Sequence, residues 1–209
     1  KTLMKHPYIN ASLTEDGKTI ITHNYVNLAM AVGMDNGLMT PVVYNAEKLS
    51  LSELVVAFKD VIGRTLDGKL APSELQNSTF TISNLGMFGV QSFGPIINQP
   101  NSAILGVSST IEKPVVVNGE IVIRPIMSLG LTIDHRVVDG MAGAKFMKDL
   151  KELIENQGCV ITRESFLNRL WKYEFEGEER AVDNHIKNLR RKLGKAGDYI
   201  KTVRGVGYR

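Results

Sequence analysis

The sequence holds a single cysteine, Cys159, so no internal disulfide can staple the fold and a cysteine-based zinc site lacks its partners. Its four histidines, at positions 6, 23, 135 and 185, are scattered, and no metal-binding cluster is expected. No run approaches the roughly 18 apolar residues of a membrane span, and no charged-then-apolar leader opens the chain. Internal repeats and low-complexity segments are absent. These absences point to a globular protein of a reducing compartment, expected in the cytoplasm and without a membrane partner.

What is present is ordinary in amount and uneven in distribution. Hydrophobic residues make up 43% and charged residues 22% of the 209 positions, enough for one or two domains with an adequate core. The net charge of +3 conceals an asymmetry. Residues 1–156 hold 13 Lys and Arg against 15 Asp and Glu, whereas residues 157–209 hold 12 against 7. A basic tail on a slightly acidic body suggests two parts with different partners, the tail facing nucleic acid.

The hydrophobic pattern predicts mixed α and β structure. A hairpin is expected over residues 8–23, turning at Glu15-Asp16-Gly17, followed by strands near Tyr25–Val32 and Pro41–Tyr44 with a loop between them. Ser50 or Ser52 should open a helix with Leu54, Val55, Phe58, Val61 and Ile62 on its buried face. Ser78–Ser83 reads as a strand, and Asn84–Pro95 as a glycine-containing loop with Met87, Phe88 and Phe93. Three β-runs are predicted next: Ala103–Ser108, a hairpin of Pro114–Val117 and Glu120–Arg124 around Asn118-Gly119, and Ile126–Ile133. A helix with Ala144, Met147, Leu150 and Ile154 inward follows Gly140. In the tail, a helix should begin at Thr162, and a second should run from Arg180 to Leu193 with Val182, Ile186, Leu189 and Leu193 buried. A hairpin of Tyr199–Val203 and Val206–Arg209 should close the chain.

The most informative stretch is Asp134-His135-Arg136-Val137-Val138-Asp139-Gly140. A histidine on a strand-to-helix turn among charged neighbours can titrate near neutral pH and act as a general base. This His-x-x-x-Asp-Gly string resembles the active-site signature of the dihydrolipoamide acyltransferases, the core subunits of 2-oxo acid dehydrogenase complexes. Further matches are His6-Pro7 with Asn10-Ala11-Ser12, Gly37-Leu38 with Pro41-Val42, Thr79 to Gly86, and Ala103-Ile104-Leu105-Gly106. The resemblance covers residues 1–156. It implies an α+β fold, a chloramphenicol-acetyltransferase-like mixed sheet with helices, without the family's N-terminal arm and first helices. It also implies acyl transfer between dihydrolipoamide and coenzyme A, with His135 as base, Ser83 as oxyanion donor and Asp139 orienting the motif by ion pairing. The substrates would be acyl-coenzyme A and a lipoyl group carried on a separate domain. His and Ser of one site would come from neighbouring subunits of a homotrimer or larger assembly, and the loop at 84–95 would wall a substrate channel. No metal is implied.

Residues 157–209 resemble a second family, the winged-helix DNA-binding domain of response regulators. The match rests on Thr162-Arg163-Glu164, Leu170-Trp171, Arg180 to Ile186, Leu189 to Leu193, and the closing run Thr202 to Arg209. It implies a partial winged helix-turn-helix without its N-terminal sheet and first helix. Asp183, Asn184, Lys187 and Asn188 would face bases, Arg180, Arg190 and Arg191 phosphates, and Arg204 would sit on the wing. His185 would be a packing residue. Two incomplete patterns joined near Ile154-Glu155-Asn156-Gln157-Gly158 make the chain an apparent chimera. Three readings follow: an acyltransferase, a DNA-binding regulator, or a hybrid in which neither part acts.

Overall fold

The structure is a computed structural model that describes residues 1–34, 37–155, 161–162, 180–194, 200–203 and 207–208. The chain divides into two compact units, Lys1–Leu150 and Lys151–Arg209. No described helix is long and apolar enough to cross a membrane.

In the first unit, β1 (Ala11–Leu13) and β2 (Ile20–Thr22) form the expected hairpin. A mixed five-stranded sheet makes the centre. Its spatial order is β6 (Val42–Val43), β3 (Leu28–Met30), β7 (Phe80–Asn84), β8 (Ala103–Val117) and β9 (Glu120–Ile133). β3, β7 and β8 run parallel, and β6 and β9 are antiparallel to their neighbours. Where a loop was predicted between β3 and β6, β4 (Val32–Met34) and β5 (Gly37–Met39) pair as a small separate hairpin.

The three β-runs predicted after residue 103 are two long strands. β8 and β9 pair from Ala103↔Ile133 to Val117↔Glu120, with an irregularity between Val107 and Thr110. Pro114 is tolerated because β7 pairs with β8 only as far as Val107, so beyond that point β8 has a free edge. The turn at Asn118-Gly119 has φ of 53° and 86°. Both residues are left-handed, as a tight hairpin between right-twisted strands requires.

Helix α1 (Leu51–Leu66) begins at Ser50, whose hydroxyl accepts from Glu53 N while the Glu53 carboxylate accepts from Ser50 N. This capping box satisfies two orphan backbone donors. Helix α2 (Gly140–Glu155) follows the turn that carries His135. Phe58, Val61 and Ile62 of α1 and Phe146, Met147 and Leu150 of α2 pack against Phe80, Ile82, Ala103, Leu105, Val107, Leu129, Leu131 and Ile133 of the sheet. Side chains alternate along a strand, so Thr79, Thr81, Ser83, Gly106 and Gly130 lie on the opposite face. Val55 and Ala144, expected inward, are exposed. Ile154, also expected inward, is exposed, and the buried anchor of α2 is Phe146.

In the second unit, β10 (Ile161–Thr162), β11 (Thr202–Val203) and β12 (Gly207–Tyr208) form an antiparallel sheet ordered β10-β12-β11. Helix α3 (Arg180–Leu193) supplies Val182 and Ile186, which pack with Tyr208 and Ile200. Leu189, expected in the buried stripe, is exposed. Thr162, where a helix was expected to begin, ends strand β10 instead; the rest of that helix and Arg204 lie outside the described residues.

Candidate active site

The strand β9 ends at Ile133, and the chain then turns through His135 into α2. Each residue around the histidine is fixed by a separate interaction. Asp134 N donates to Ser102 O at 2.8 Å, and Asp134 O accepts from Val137 N and Val138 N at 2.9 Å. The Asp134 carboxylate accepts from Arg136 N and from the Arg136 guanidinium, with Nη2 at 2.6 Å. The guanidinium holds the Asp134 carboxyl below the usual carboxylate range, and the carboxylate raises Arg136 in turn. Val138, 1% exposed, plugs the turn into the core. His135 stands exposed at the apex of this braced turn. Among the described residues its ring makes no hydrogen bond.

Asp139 acts differently from expectation. Among the described residues it makes no ion pair; its carboxylate accepts from Ala142 N at 2.7 Å. It is therefore the N-cap of α2, satisfying a donor that has no partner within the helix. The physical reason is its position one residue before the helix, where a short carboxylate reaches the N3 amide more easily than a distant cation.

Ser83 is the penultimate residue of β7. It pairs with Gly106, and Gly106 pairs with Gly130, so one row across the sheet carries a hydroxyl and then two positions without side chains. The loop after β7 uses that space. Val90 O accepts from Ser109 N and Oγ at 2.7 and 3.0 Å, anchoring a strap of residues 90–95 over the sheet. A Cβ on Gly106 would come within 3.0 Å of Pro95 and 3.1 Å of Phe93, and one on Gly130 within 2.7 Å of Phe93 O. Met87 and Phe88 stand exposed at the start of the strap.

Gly130→Ala is expected to displace the strap, because backbone oxygen cannot move aside as a side-chain tip can. Overpacking of this kind costs about 1–3 kcal/mol. The melting temperature should fall, and the control Gly94→Ala, where nothing lies within 4 Å of the added carbon, should leave it unchanged.

His135 and Ser83 of one chain do not meet. Asp134 is level with Ser102, and Ser102 extends the register to Thr79 of the neighbouring strand, four residues before Ser83. At about 3.3 Å per residue and about 4.8 Å per strand spacing, their backbones are on the order of 16 Å apart. That exceeds the joint reach of an imidazole and a hydroxyl. Each chain thus holds the His135 turn and the Ser83 hydroxyl apart.

In the second unit the side chains named from sequence fall into two groups. Asp183 accepts from Tyr208 Oη. Arg190 donates to Ile200 O at 2.6 Å and to Thr202 Oγ1 at 2.8 Å, and its guanidinium lies 5.6 Å from the Tyr208 ring centroid. These two residues bind the β11–β12 ribbon to α3. Asn184, Lys187, Asn188 and Arg191 share one exposed face. His185 is exposed as well, where packing was expected. Arg180 opens the helix.

Comparison with known proteins gives two family matches. Residues 1–161 match the 2-oxoacid dehydrogenases acyltransferase (catalytic domain), and residues 143–209 match the transcriptional regulatory protein, C terminal. The acetyltransferase component of the Rickettsia felis pyruvate dehydrogenase complex is 43% identical over 77% of this chain and 39% of its own length. The succinyltransferase component of the Haemophilus influenzae 2-oxoglutarate dehydrogenase complex is 42% identical over 75% of this chain and 38% of its own. The chain therefore spans about two fifths of these relatives. A dihydrolipoamide acetyltransferase structure from Azotobacter vinelandii superposes with a TM-score of 0.69 at 38% identity, covering 72% of this chain and 62% of that one. It was solved to examine a serine, a histidine and an asparagine in the catalytic mechanism, and these stand at the same spacings as Ser83, His135 and Asp139.

Proposed function

The chain belongs to the 2-oxoacid dehydrogenase acyltransferase family through its catalytic domain, and on that premise we propose that it moves an acyl group between the thiols of dihydrolipoamide and coenzyme A. The observation that carries this reading is the braced turn, which presents His135 to solvent while every neighbour is committed elsewhere. A thiol with pKa near 8.5 is mostly protonated at pH 7, and only its thiolate attacks well. His135 takes the S–H proton as the sulfur adds to the thioester carbonyl. The tetrahedral oxyanion accepts a hydrogen bond from the Ser83 hydroxyl of a second copy. Collapse breaks the bond to the other sulfur, which leaves as a thiolate and recovers the proton from His135. Asp139 supports the base indirectly by fixing the start of α2.

The separation of these groups within one chain supports an assembly in which neighbouring copies bring His135 and Ser83 together. If the His135 and Ser83 faces meet head to tail, a homotrimer is the smallest closed ring. The 52-residue spacing shared with the A. vinelandii serine and histidine supports the same pair of roles. The test is thioester formation by the full chain from acetyl- or succinyl-coenzyme A and dihydrolipoamide, together with the mass of the species in solution. Transfer by a trimer or larger particle is the expected result. A folded monomer without transfer would overturn the reading.

A second reading is favoured by the match of residues 143–209 and by the face made of Asn184, Lys187, Asn188 and Arg191. The tail is a winged-helix fragment beginning near residue 157, its wing bound to α3 through Arg190 and Asp183. With Asp183 and Arg190 so engaged, phosphate contacts should outweigh base contacts, and binding of duplex DNA by the full chain should weaken steeply with salt. Titration of matched and scrambled duplexes at two salt concentrations checks this. The expected specificity ratio is below roughly a thousandfold; a higher ratio would show a working sequence reader.

A further inference from the structure

We propose that Asn101 is a positioning residue for the acyl transfer, tying the His135 turn to the strand that carries Ser83. The inference rests on the acyl-transfer reading for its kinetic consequence and on geometry for its substance. Asn101 is 2% exposed and sits between β7 and the turn. Its Nδ2 donates to Thr81 Oγ1 at 2.8 Å and to Ser78 Oγ at 3.2 Å, both on or beside β7. Thr81 is two residues from Ser83, on the same strand face. The next residue, Ser102, is 1% exposed and faces the turn: its carbonyl accepts from Asp134 N at 2.8 Å. Ser102 Oγ also donates to Tyr8 O at 2.8 Å and to Ile9 O at 3.1 Å. The peptide joining Asn101 to Ser102 is thus held from β7 on one side and holds the catalytic turn on the other.

No backbone ladder makes the Asn101 contact for it. β7 and β8 pair from Thr81↔Ile104 onward, and Asn101 precedes that register. Main chain ties the segment to β1, where Asn101 bridges Ser12 and Ser102 N donates to Ala11 O at 2.9 Å; toward β7 the Asn101 amide makes the link, in a buried place where an unpaired polar group is costly. Removing the amide cuts the link between β7 and the segment that seats Asp134, and a small misplacement of a catalytic group lowers rate far more than binding.

The experiment compares Asn101→Ala, Asn101→Gln and the parent full chain at a temperature well below melting. Gln keeps the amide one methylene further out. Asn101→Ala is expected to lower kcat roughly tenfold to a hundredfold with each KM within about twofold of the parent, and Asn101→Gln to restore most of it. Equal kcat in Asn101→Ala and the parent, with only a lower melting temperature, would overturn the proposal. The His135 ring resonance in an NMR spectrum gives a readout independent of turnover. It should move in Asn101→Ala and return in Asn101→Gln, and an unmoved resonance would overturn the proposal even in a chain without transferase activity. Failure of the parent to transfer acyl groups would instead strike the reaction assignment.

Discussion

Replacing His135 with alanine should lower acyl transfer by at least about a hundredfold, the minimum expected when a general base is removed. The thiol would then have to lose its proton to water, and at neutral pH only a small share is ionised. Assembly should be unaffected, because His135 is exposed and the turn is held by Asp134, Val138 and Asp139 instead. Turnover and particle mass, measured on the same preparation, separate the two effects. Activity within a few-fold of the parent would remove His135 from the mechanism.

Ser83→Ala should cost about 3 kcal/mol of transition-state stabilisation, on the order of a hundredfold in kcat, if the hydroxyl donates to the oxyanion. The loss should fall on kcat rather than on KM for coenzyme A, since the donor meets full negative charge only in the transition state. The structure gives the hydroxyl nothing else to do: among the described residues it makes no hydrogen bond, so its removal breaks no fold contact. A change confined to KM would assign Ser83 to binding.

Much of the fold was legible from the sequence where local chemistry decided it. The serine that opens α1, the Asn118-Gly119 turn and the β-prone run Ser78–Ser83 each carry their own signal over a few residues. Pairing partners do not. Nothing in Thr110–Val117 says that the strand keeps one partner while losing another, so two long strands read as a series of shorter runs. The split of α2 between Phe146 inside and Ala144 outside depends on which row of the sheet the helix crosses. Asp139 shows the same limit at the site. Its residue type fitted both an ion pair and a helix cap, and only the distance to Ala142 N distinguishes them. The winged-helix resemblance set Arg190 and Asp183 toward DNA, but gave no sign of their hydrogen bonds to Ile200, Thr202 and Tyr208, which are distant in sequence. Asn101 gave no signal, being one polar residue in a polar stretch, until Thr81 and Ser78 were found beside it.

The central claim is that one working site takes His135 from one copy and Ser83 from another. Coexpression of the His135→Ala and Ser83→Ala chains tests it most directly. Random trimers of the two would regain one intact pairing in each mixed particle, so the mixture should recover about a quarter of the parent's activity, far above either variant alone. Activity of the mixture no higher than that of the separate variants would place both residues in one chain's site, or in none, and contradict the account.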